Sequence, residues 1–193
     1  MDAGLDEEVA SVYRALGGVG DQPRVAPGPW DVQVDGVAIE LDEENHFNRY
    51  RGLTLDSPLY ETHAAVDVNA YRAWCGSHES ACLTYGGYWK SDASECEFGA
   101  AGPEGDLSGS GSPRWKQRAF YDFIKDLAPA AVEITVSRLS IYEEVQCGDE
   151  LRQLGHLLAD GDDRLMAAGW AEAILTRVHR PTSDHSGEDL GAS

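Results

Sequence analysis

Residues 29–51, PWDVQVDGVAIELDEENHFNRYR, carry a strong β-hairpin signal. Asp35-Gly36 is typical of a two-residue hairpin turn, because both central residues of a type I′ turn need φ > 0. The segments on either side alternate between apolar and polar side chains, as half-buried strands do. The sequence therefore predicts a hairpin with the cross-strand pairs Val34/Val37, Gln33/Ala38, Val32/Ile39 and Asp31/Glu40.

The two faces of this predicted hairpin differ in chemistry. One face carries only apolar side chains, namely Val32, Val34, Val37, Ile39 and Leu41. On the other face Asp31 lies opposite Glu40, with Cβ atoms about 5 Å apart, an arrangement that normally destabilises a pair of like charges. Asp42 follows on the same face. Three converging carboxylates suit Mg²⁺ or Mn²⁺, since these hard cations prefer oxygen ligands. The alternative is a solvated face of an acidic protein.

Length and composition predict one domain with an insertion. The chain has 193 residues and is 42% hydrophobic, enough for one good core. We expect a single domain over residues 1–180, an insertion at about 60–112, and a disordered polar tail at 181–193. No apolar run approaches the roughly 20 residues of a membrane span, and the acidic N-terminus does not resemble a secretion signal. The sequence therefore predicts a cytoplasmic protein without a membrane contact, and it does not indicate an oligomeric state.

The charge of the chain restricts its partners. A formal net charge of −19 disfavours tight nonspecific binding to phosphate backbones, unless the basic residues are gathered in one place. Two segments, 45–52 and 113–126, are locally net positive and also carry aromatic residues. The same overall acidity suits a protein partner with a basic surface.

The remaining periodicity predicts helices around a mixed sheet, an α/β or α+β fold. Helices are predicted at 2–16, at 67–74 with Asp67 as N-cap, and at 114–128, where apolar side chains share one broad face. A strand is predicted at 131–145, and two further amphipathic helices at 148–161 and 162–180. Residues 75–112 are rich in glycine and show little periodicity, so we expect the insertion to be loop-rich.

Three of the four cysteines and one histidine fall in this insertion. Cys75, His78, Cys82 and Cys96 form the pattern C-x2-H-x3-C-x13-C, which could close a tetrahedral Zn²⁺ site. A disulfide framework is less expected in a cytoplasmic chain. The alternative is that the thiols are small core residues without a metal.

The order of helix, hairpin, acidic E-x-D motif, helix and strand resembles the core of the PD-(D/E)XK restriction-endonuclease-like superfamily. More narrowly, it resembles the compact branch that includes very-short-patch repair endonucleases and their uncharacterised relatives. Asp31 matches the Asp that enters the hairpin, Glu40-Leu41-Asp42 matches E-x-D, and His46 matches the trailing His. The chain departs from the pattern where no Gly follows Asp42, where the usual motif lysine is absent, and where residues 60–112 are inserted.

The resemblance implies a restriction-endonuclease-like core and a Mg²⁺-dependent nuclease that hydrolyses phosphodiester bonds of DNA, in repair or phage defence. Asp31, Glu40 and Asp42 would then bind the metal, which activates water and polarises the scissile phosphate. In place of the missing lysine, either His46 would exchange protons or a second metal ion would act. The residues expected to contact phosphates are Arg49, Arg51, Arg114, Lys116 and Arg118.

Two alternatives remain open from the residues. The chain could be an interaction protein that keeps a nuclease-like fold without catalysis and binds a basic protein partner. It could also be a zinc-stabilised regulatory protein in which the Cys/His segment matters and the acidic residues are surface. Each arginine could likewise be a surface residue that balances an acidic neighbourhood.

Overall fold

The computed structural model describes residues 3–34, 36–62, 66–84, 89–132, 134–159 and 163–178. The strands are β1 Val32–Val34, β2 Val37–Asp42, β3 Thr135–Ser140, β4 Glu144–Cys147 and β5 Glu150–Gln153. The helices are α1 Ala3–Ala15, α2 Arg49–Thr54, α3 Val68–Thr84, α4 Asp92–Phe98, α5 Pro113–Asp126, α6 Ala128–Ala131, α7 Leu154–Ala159 and α8 Asp163–Val178. The predicted mixed α+β fold with a sheet flanked by helices is confirmed. Among the described residues, no helix is long and apolar enough to cross a membrane.

The predicted hairpin forms the edge of a three-stranded sheet in the order β1-β2-β3. The register confirms three predicted pairs, Val32/Ile39, Gln33/Ala38 and Val34/Val37. Gly36 has φ of 81°, as a turn of this type requires, and Asp35 lies outside the described residues. Strand β3 adds to β2 in parallel and completes a mixed sheet.

The central strand β2 is covered on both faces. Ile39 packs in a smaller apolar cluster with side chains of β3, α7 and α8. The opposite face, which carries Glu40 and Asp42, is buried as well: the two residues are 4% and 0% exposed. A solvated acidic face is therefore wrong for these two residues. Since a buried carboxylate is costly without a partner, the fold has to supply cations to this face.

Helix α5 supplies one of these cations, Lys125, and also anchors the main core. Ser112 caps its start by accepting a hydrogen bond from the Trp115 amide, and Pro113 occupies the first turn, as its fixed φ favours. Phe120 and Phe123 are fully buried in the main core, which helix α1 and Phe47 also join. Burial of each such side chain contributes about 1.5–3 kcal/mol. The helix is therefore held firmly beside β2.

The segment predicted as a loop-rich insertion is largely helical. Helices α3 and α4 lie within it, and Tyr71, Cys75 and Cys82 of α3 belong to the main core. The Asp67 cap is confirmed, because its Oδ1 accepts a hydrogen bond of 3.0 Å from the Ala70 amide. Helix α3 has few apolar residues, and many polar residues lie between them in the sequence. The helical periodicity of hydrophobic residues is therefore weak in this segment.

The C-terminal third also differs from the prediction. The predicted strand 131–145 is split by a turn into β3 and β4, and the start of the predicted helix 148–161 is strand β5. Cys147 pairs with Glu150 across a turn in which Gly148 has φ of 64°. Helix α8 confirms the last predicted helix over Asp163–Val178, and the predicted tail at 181–193 lies outside the described residues.

Candidate active site

A polar cleft of about 460 Å³ opens where the β1–β2 hairpin meets helix α5. It collects residues that are far apart in sequence, including Asp31, Glu40, His46, Arg114, Arg118, Tyr121, Asp122 and Lys125. Two of the three predicted metal-binding carboxylates, the predicted histidine and two of the predicted phosphate-binding arginines therefore line one cavity. Asp122 and Lys125 are not among the predicted site residues.

Asp31 and Glu40 are held together at the rim of the hairpin. The Asp31 amide donates a hydrogen bond of 3.2 Å to Glu40 Oε1, and the Leu41 amide donates one of 2.9 Å to Asp31 Oδ2. Within the described part of the chain, Asp31 Oδ1 and Glu40 Oε2 accept no hydrogen bond. Burial raises the pKa of Glu40, against the opposing effect of its lysine partner. Two carboxylate oxygens are thus available to a ligand in the cleft.

Lys125 of helix α5 takes the place next to this acidic pair. Its Nζ donates to Glu40 Oε1 at 2.7 Å and to the Pro29 carbonyl at 2.8 Å, and it lies 5.4 Å from the centroid of the Trp30 ring. The expected motif lysine is absent from β2, but α5 brings a lysine to the same carboxylate. The signal for it lies in helical spacing, since Arg118, Asp122 and Lys125 fall at i, i+4 and i+7 on one face.

His46 is oriented by two carboxylates below it. The residue ends a 3₁₀ helix, Glu44–His46, that directly follows β2. Its Nδ1 lies 2.8 Å from Asp122 Oδ2 and 3.3 Å from Asp42 Oδ1. Burial alone would lower the pKa of His46, but the charges of Asp122 and Asp42 outweigh it, so the pKa is raised. Because Nδ1 faces two acceptors it carries a proton, which leaves Nε2 as the nitrogen free for chemistry.

Asp42 does not line the cleft, contrary to its predicted role as a metal ligand there. Its side chain is fully buried, forms an ion pair with Arg138 and accepts a hydrogen bond of 2.9 Å from the Tyr71 hydroxyl. Both interactions hold Asp42 under the cleft floor. The structure therefore places Asp42 as a supporting residue.

Asp42 is part of a buried network with balanced charge. Arg138 of β3 also pairs with Asp122 and Asp126, and Asp126 in turn binds Arg51 Nη2 at 2.6 Å. With His46 protonated, three cations meet three carboxylates among the described residues of this network, namely His46, Arg51 and Arg138 with Asp42, Asp122 and Asp126. Lys125 and Glu40 form a separate buried ion pair beside it. Such pairing offsets the cost of removing the charges from water. It also favours the protonated form of His46.

Two places in this region have donor atoms for a metal ion. Asp42, His46 and Asp122 offer ligand atoms that lie within 4.8 Å of one another. A cation there would have to displace the proton on His46 Nδ1 and compete with Arg138 for both carboxylates. Asp31 and Glu40 instead present free oxygens at the cleft, which fits Mg²⁺ or Mn²⁺ with one or two protein carboxylates and several waters. The donor set of the pair is the better fit.

The structure sorts the predicted phosphate contacts into two groups. Arg114 and Arg118 are half-buried and line the cleft, and Arg118 has no hydrogen bond or ion pair with any described residue. Arg49 is outside the cleft, where it binds Glu79 through two bonds of 2.8 and 2.7 Å. Arg51 is fully buried in the network, and Lys116 is buried with its Nζ 5.6 Å from the Tyr50 ring centroid. Arg51 and Lys116 are therefore wrong as phosphate contacts.

The predicted zinc ligands are not brought together. Cys75 and Cys82 are buried in the core, where burial raises the pKa of each thiol to about 11. His78 stacks on the Tyr142 ring at 3.7 Å between centroids, and Cys96 is exposed on α4. No three of these four residues, all of them described, lie close enough to share an ion. The structure favours the alternative of thiols without a metal.

Comparison with known proteins assigns the chain to a family but does not assign an activity. No curated protein and no solved structure matches the chain significantly. A sequence family matches residues 11–160, a range that includes the hairpin, helix α5 and every described residue of the cleft except Trp170. Since this match covers most of the 193 residues, the chain belongs to the family of unknown function DUF7255.

Proposed function

We propose that the cleft hydrolyses phosphodiester bonds of nucleic acid, DNA in the first place, with the help of a divalent metal ion. The observation that carries the proposal is the convergence of Asp31, Glu40 and Lys125 from three separate segments on one cavity that arginines also line. Carboxylates can hold a metal ion that activates water and polarises a phosphate, and a nearby ammonium can stabilise the charge that develops. The resemblance to PD-(D/E)XK enzymes points to the same chemistry.

The metal would be held by Asp31 and Glu40 through the oxygens that accept no hydrogen bond from the described residues. Mg²⁺ or Mn²⁺ bound there supplies Lewis acidity and lowers the pKa of water. Lys125 keeps its ammonium beside Glu40, where it can orient the attacking water and balance the charge that develops on the phosphate. In this arrangement Lys125 fills the role of the lysine that is absent from the E-x-D motif.

His46 is placed to handle the proton of the leaving group. With Nδ1 fixed on Asp122 and a raised pKa, the imidazolium can donate a proton from Nε2 to the leaving oxygen. Asp122 is itself held by Arg138, whose guanidinium contacts both the side chain and the backbone carbonyl of that residue. The geometry of the donor is thereby set by the buried network.

Arg114 and Arg118 would bind the phosphates that flank the reaction centre. Together with Lys125 they form a row of cations on the cleft side of α5. The same lining also holds four carboxylates, Asp31, Glu40, Glu43 and Asp122, so the cleft as a whole is not positive. The three cations lie on the α5 side of the cleft and could contact phosphates there, and a metal ion held by Asp31 and Glu40 would add positive charge beside them.

The proposal is tested by cleavage assays on labelled DNA and RNA, each single- and double-stranded, with Mg²⁺ or Mn²⁺ and with chelator. Wild type is compared with Glu40→Gln and with the control Glu79→Gln, since Glu79 pairs with Arg49 outside the cleft. We expect metal-dependent cleavage that falls about 100-fold or more in Glu40→Gln and is unchanged in Glu79→Gln. Absence of cleavage of every substrate by wild type, or equal rates in both variants, would overturn the proposal.

A second candidate is an interaction protein without catalysis. The observation that favours it is the direct pairing of Lys125 with Glu40, which already compensates the charge of one acid of the site without a metal ion. The net charge of −19 then suits a basic protein partner. Wild-type protein that binds neither metal nor nucleic acid, but is retained on a basic protein surface in a salt-sensitive manner, would support this candidate.

A further inference from the structure

A second cavity lies against the cleft, on the other side of Lys125. It has a volume of about 180 Å³, and Pro27 and Lys125 line both cavities. Its walls come from α1, from the loop before the hairpin, and from the end of α5 with the residues that follow, including Val9, Val25, Trp30, Ile124, Leu127 and Val132. Unlike the cleft, this cavity is almost wholly apolar.

The rim of the apolar cavity exposes hydrophobic side chains to solvent. Val25 is 47% exposed and Val132 is 58% exposed, and both are among the few large hydrophobic residues that the described part of the chain leaves in water. Burial of such side chains under a ligand is favourable, at about 25 cal/mol per Å² of apolar surface. The cavity is thus suited to a group with apolar faces.

The position of the apolar cavity indicates which chemical group it would bind. Lys125 Nζ touches Glu40 at the proposed reaction centre, and Trp30, whose ring lies under the same Nζ, lines the apolar cavity. A nucleotide whose phosphate lies at Glu40 has its base within reach of the Trp30 side of this wall. Bases stack on aromatic and apolar side chains, whatever their identity, because every base has a π-face.

The small number of cations in the cleft also favours a nucleobase as the ligand of the apolar cavity. Arg114, Arg118 and Lys125 are the Lys and Arg side chains among its described lining residues, so phosphate contacts can supply only a small electrostatic part of the affinity. A contact of another kind has to hold the substrate, and the adjoining apolar cavity offers one. A base inside a duplex is stacked and paired and cannot enter without being extruded.

We therefore propose that the apolar cavity binds an unpaired nucleobase adjacent to the phosphate in the cleft, so that the substrate class is single-stranded or locally unpaired nucleic acid. This inference rests on the proposed nuclease function and deepens it. Since the walls contact the faces of the base, the cavity accepts different bases. Trp30 and Val132 act as binding residues, outside the reacting groups.

The test measures fluorescence anisotropy of a short labelled oligodeoxythymidylate, and of its duplex with oligodeoxyadenylate, in chelator so that no cleavage occurs. The variants are Trp30→Ala, the conservative Trp30→Phe, and Val132→Asp. The matched control is Leu151→Asp, because Leu151 is a similarly exposed apolar residue, at 62%, that lines neither cavity. We expect wild type to prefer the single strand.

We expect Trp30→Ala and Val132→Asp to weaken single-strand binding about tenfold or more, while Trp30→Phe and Leu151→Asp retain it. Because Trp30→Ala removes no phosphate contact and changes no charge, the salt dependence of binding should stay the same in that variant. Equal affinity for single strand and duplex, or unchanged binding in Trp30→Ala, would overturn the inference. If metal-dependent cleavage persists in that case, the nuclease proposal stands alone; if nothing is bound or cleaved, the nuclease proposal fails first.

Discussion

Lys125 Nζ lies 2.7 Å from Glu40 Oε1, although the two residues are separated by 85 positions in sequence. One side chain comes from helix α5 and the other from strand β2, so the contact exists only once the helix has packed on the sheet. It brings a lysine to the first acid of an E-x-D motif that has no lysine of its own. The proposed chemistry depends on this contact more than on any other.

Lys125→Met separates catalysis from metal binding. We expect cleavage to fall about 100-fold or more, because the group that orients water beside Glu40 is lost. Metal affinity should rise or stay the same, since the variant removes a cation that competes for Glu40. Parallel measurement of cleavage rate and Mn²⁺ affinity checks both directions. Weaker Mn²⁺ binding in Lys125→Met would contradict this account of the lysine.

Arg138→Met tests the buried network as a source of stability. The guanidinium is fully buried between Asp42, Asp122 and Asp126, and its loss leaves carboxylates buried without their partner. We expect a loss of about 3–5 kcal/mol in the free energy of unfolding, measured with urea. The control Arg49→Met removes an exposed ion pair and should cost no more than about 1 kcal/mol. Similar losses in both variants would show that the network contributes little.

The sequence alone was sufficient for the hairpin but not for the network beneath it. Alternation and a Gly at the turn predict the register, because both are local properties. The prediction that Arg51 contacts phosphates is wrong because Arg51 is buried against Asp126. That partner lies 75 residues away, and no local sequence pattern reveals the pairing. The role of Lys125 also depends on how α5 packs. The sequence shows that Lys125 lies on the same face of α5 as Arg118 and Asp122. It does not show that this face packs against β2.

The stability of the protein should depend on pH through His46. Its pKa is raised in the folded protein above the ordinary value of 6.5, by Asp122 and Asp42 against the effect of burial. The stabilisation is therefore fully present below about pH 6.5 and is lost as the pH rises through the folded-state value. Urea unfolding in chelator, across the neutral and alkaline range, should show this loss in wild type. The difference in stability between wild type and His46→Gln should shrink as the pH rises; a constant difference would contradict the assignment.

Thiol chemistry distinguishes core cysteines from metal ligands. Cys75 and Cys82 are buried with pKa values raised to about 11, so they should not react with a thiol reagent until the protein unfolds. Exposed Cys96 should react in the native state. We expect a strong zinc chelator to leave the melting temperature unchanged. Stoichiometric zinc in the purified protein, with loss of folding on its removal, would contradict this expectation.

The Cys/His segment shows why a spacing pattern was misleading. Cys75, His78 and Cys82 fall on the single helix α3, and their side chains go to different neighbours: the core, the Tyr142 ring and Asn48. The hairpin β4–β5 was not predicted, although in this case the sequence does carry the correct local signal. Gly148-Asp149 is itself a turn signal between two short strands, but the helical spacing of the leucines that follow dominated the prediction.

The most direct test of the metal site is calorimetric titration of Mn²⁺ and Mg²⁺ into chelator-treated protein. Wild type, Glu40→Gln and the control Glu79→Gln are compared after matched unfolding curves confirm that all three fold. The account predicts binding in wild type and in Glu79→Gln, and its loss in Glu40→Gln, because Glu40 and Asp31 hold the ion at the cleft. Absence of binding in wild type, both without and with nucleic acid, or undiminished binding in Glu40→Gln, would contradict it.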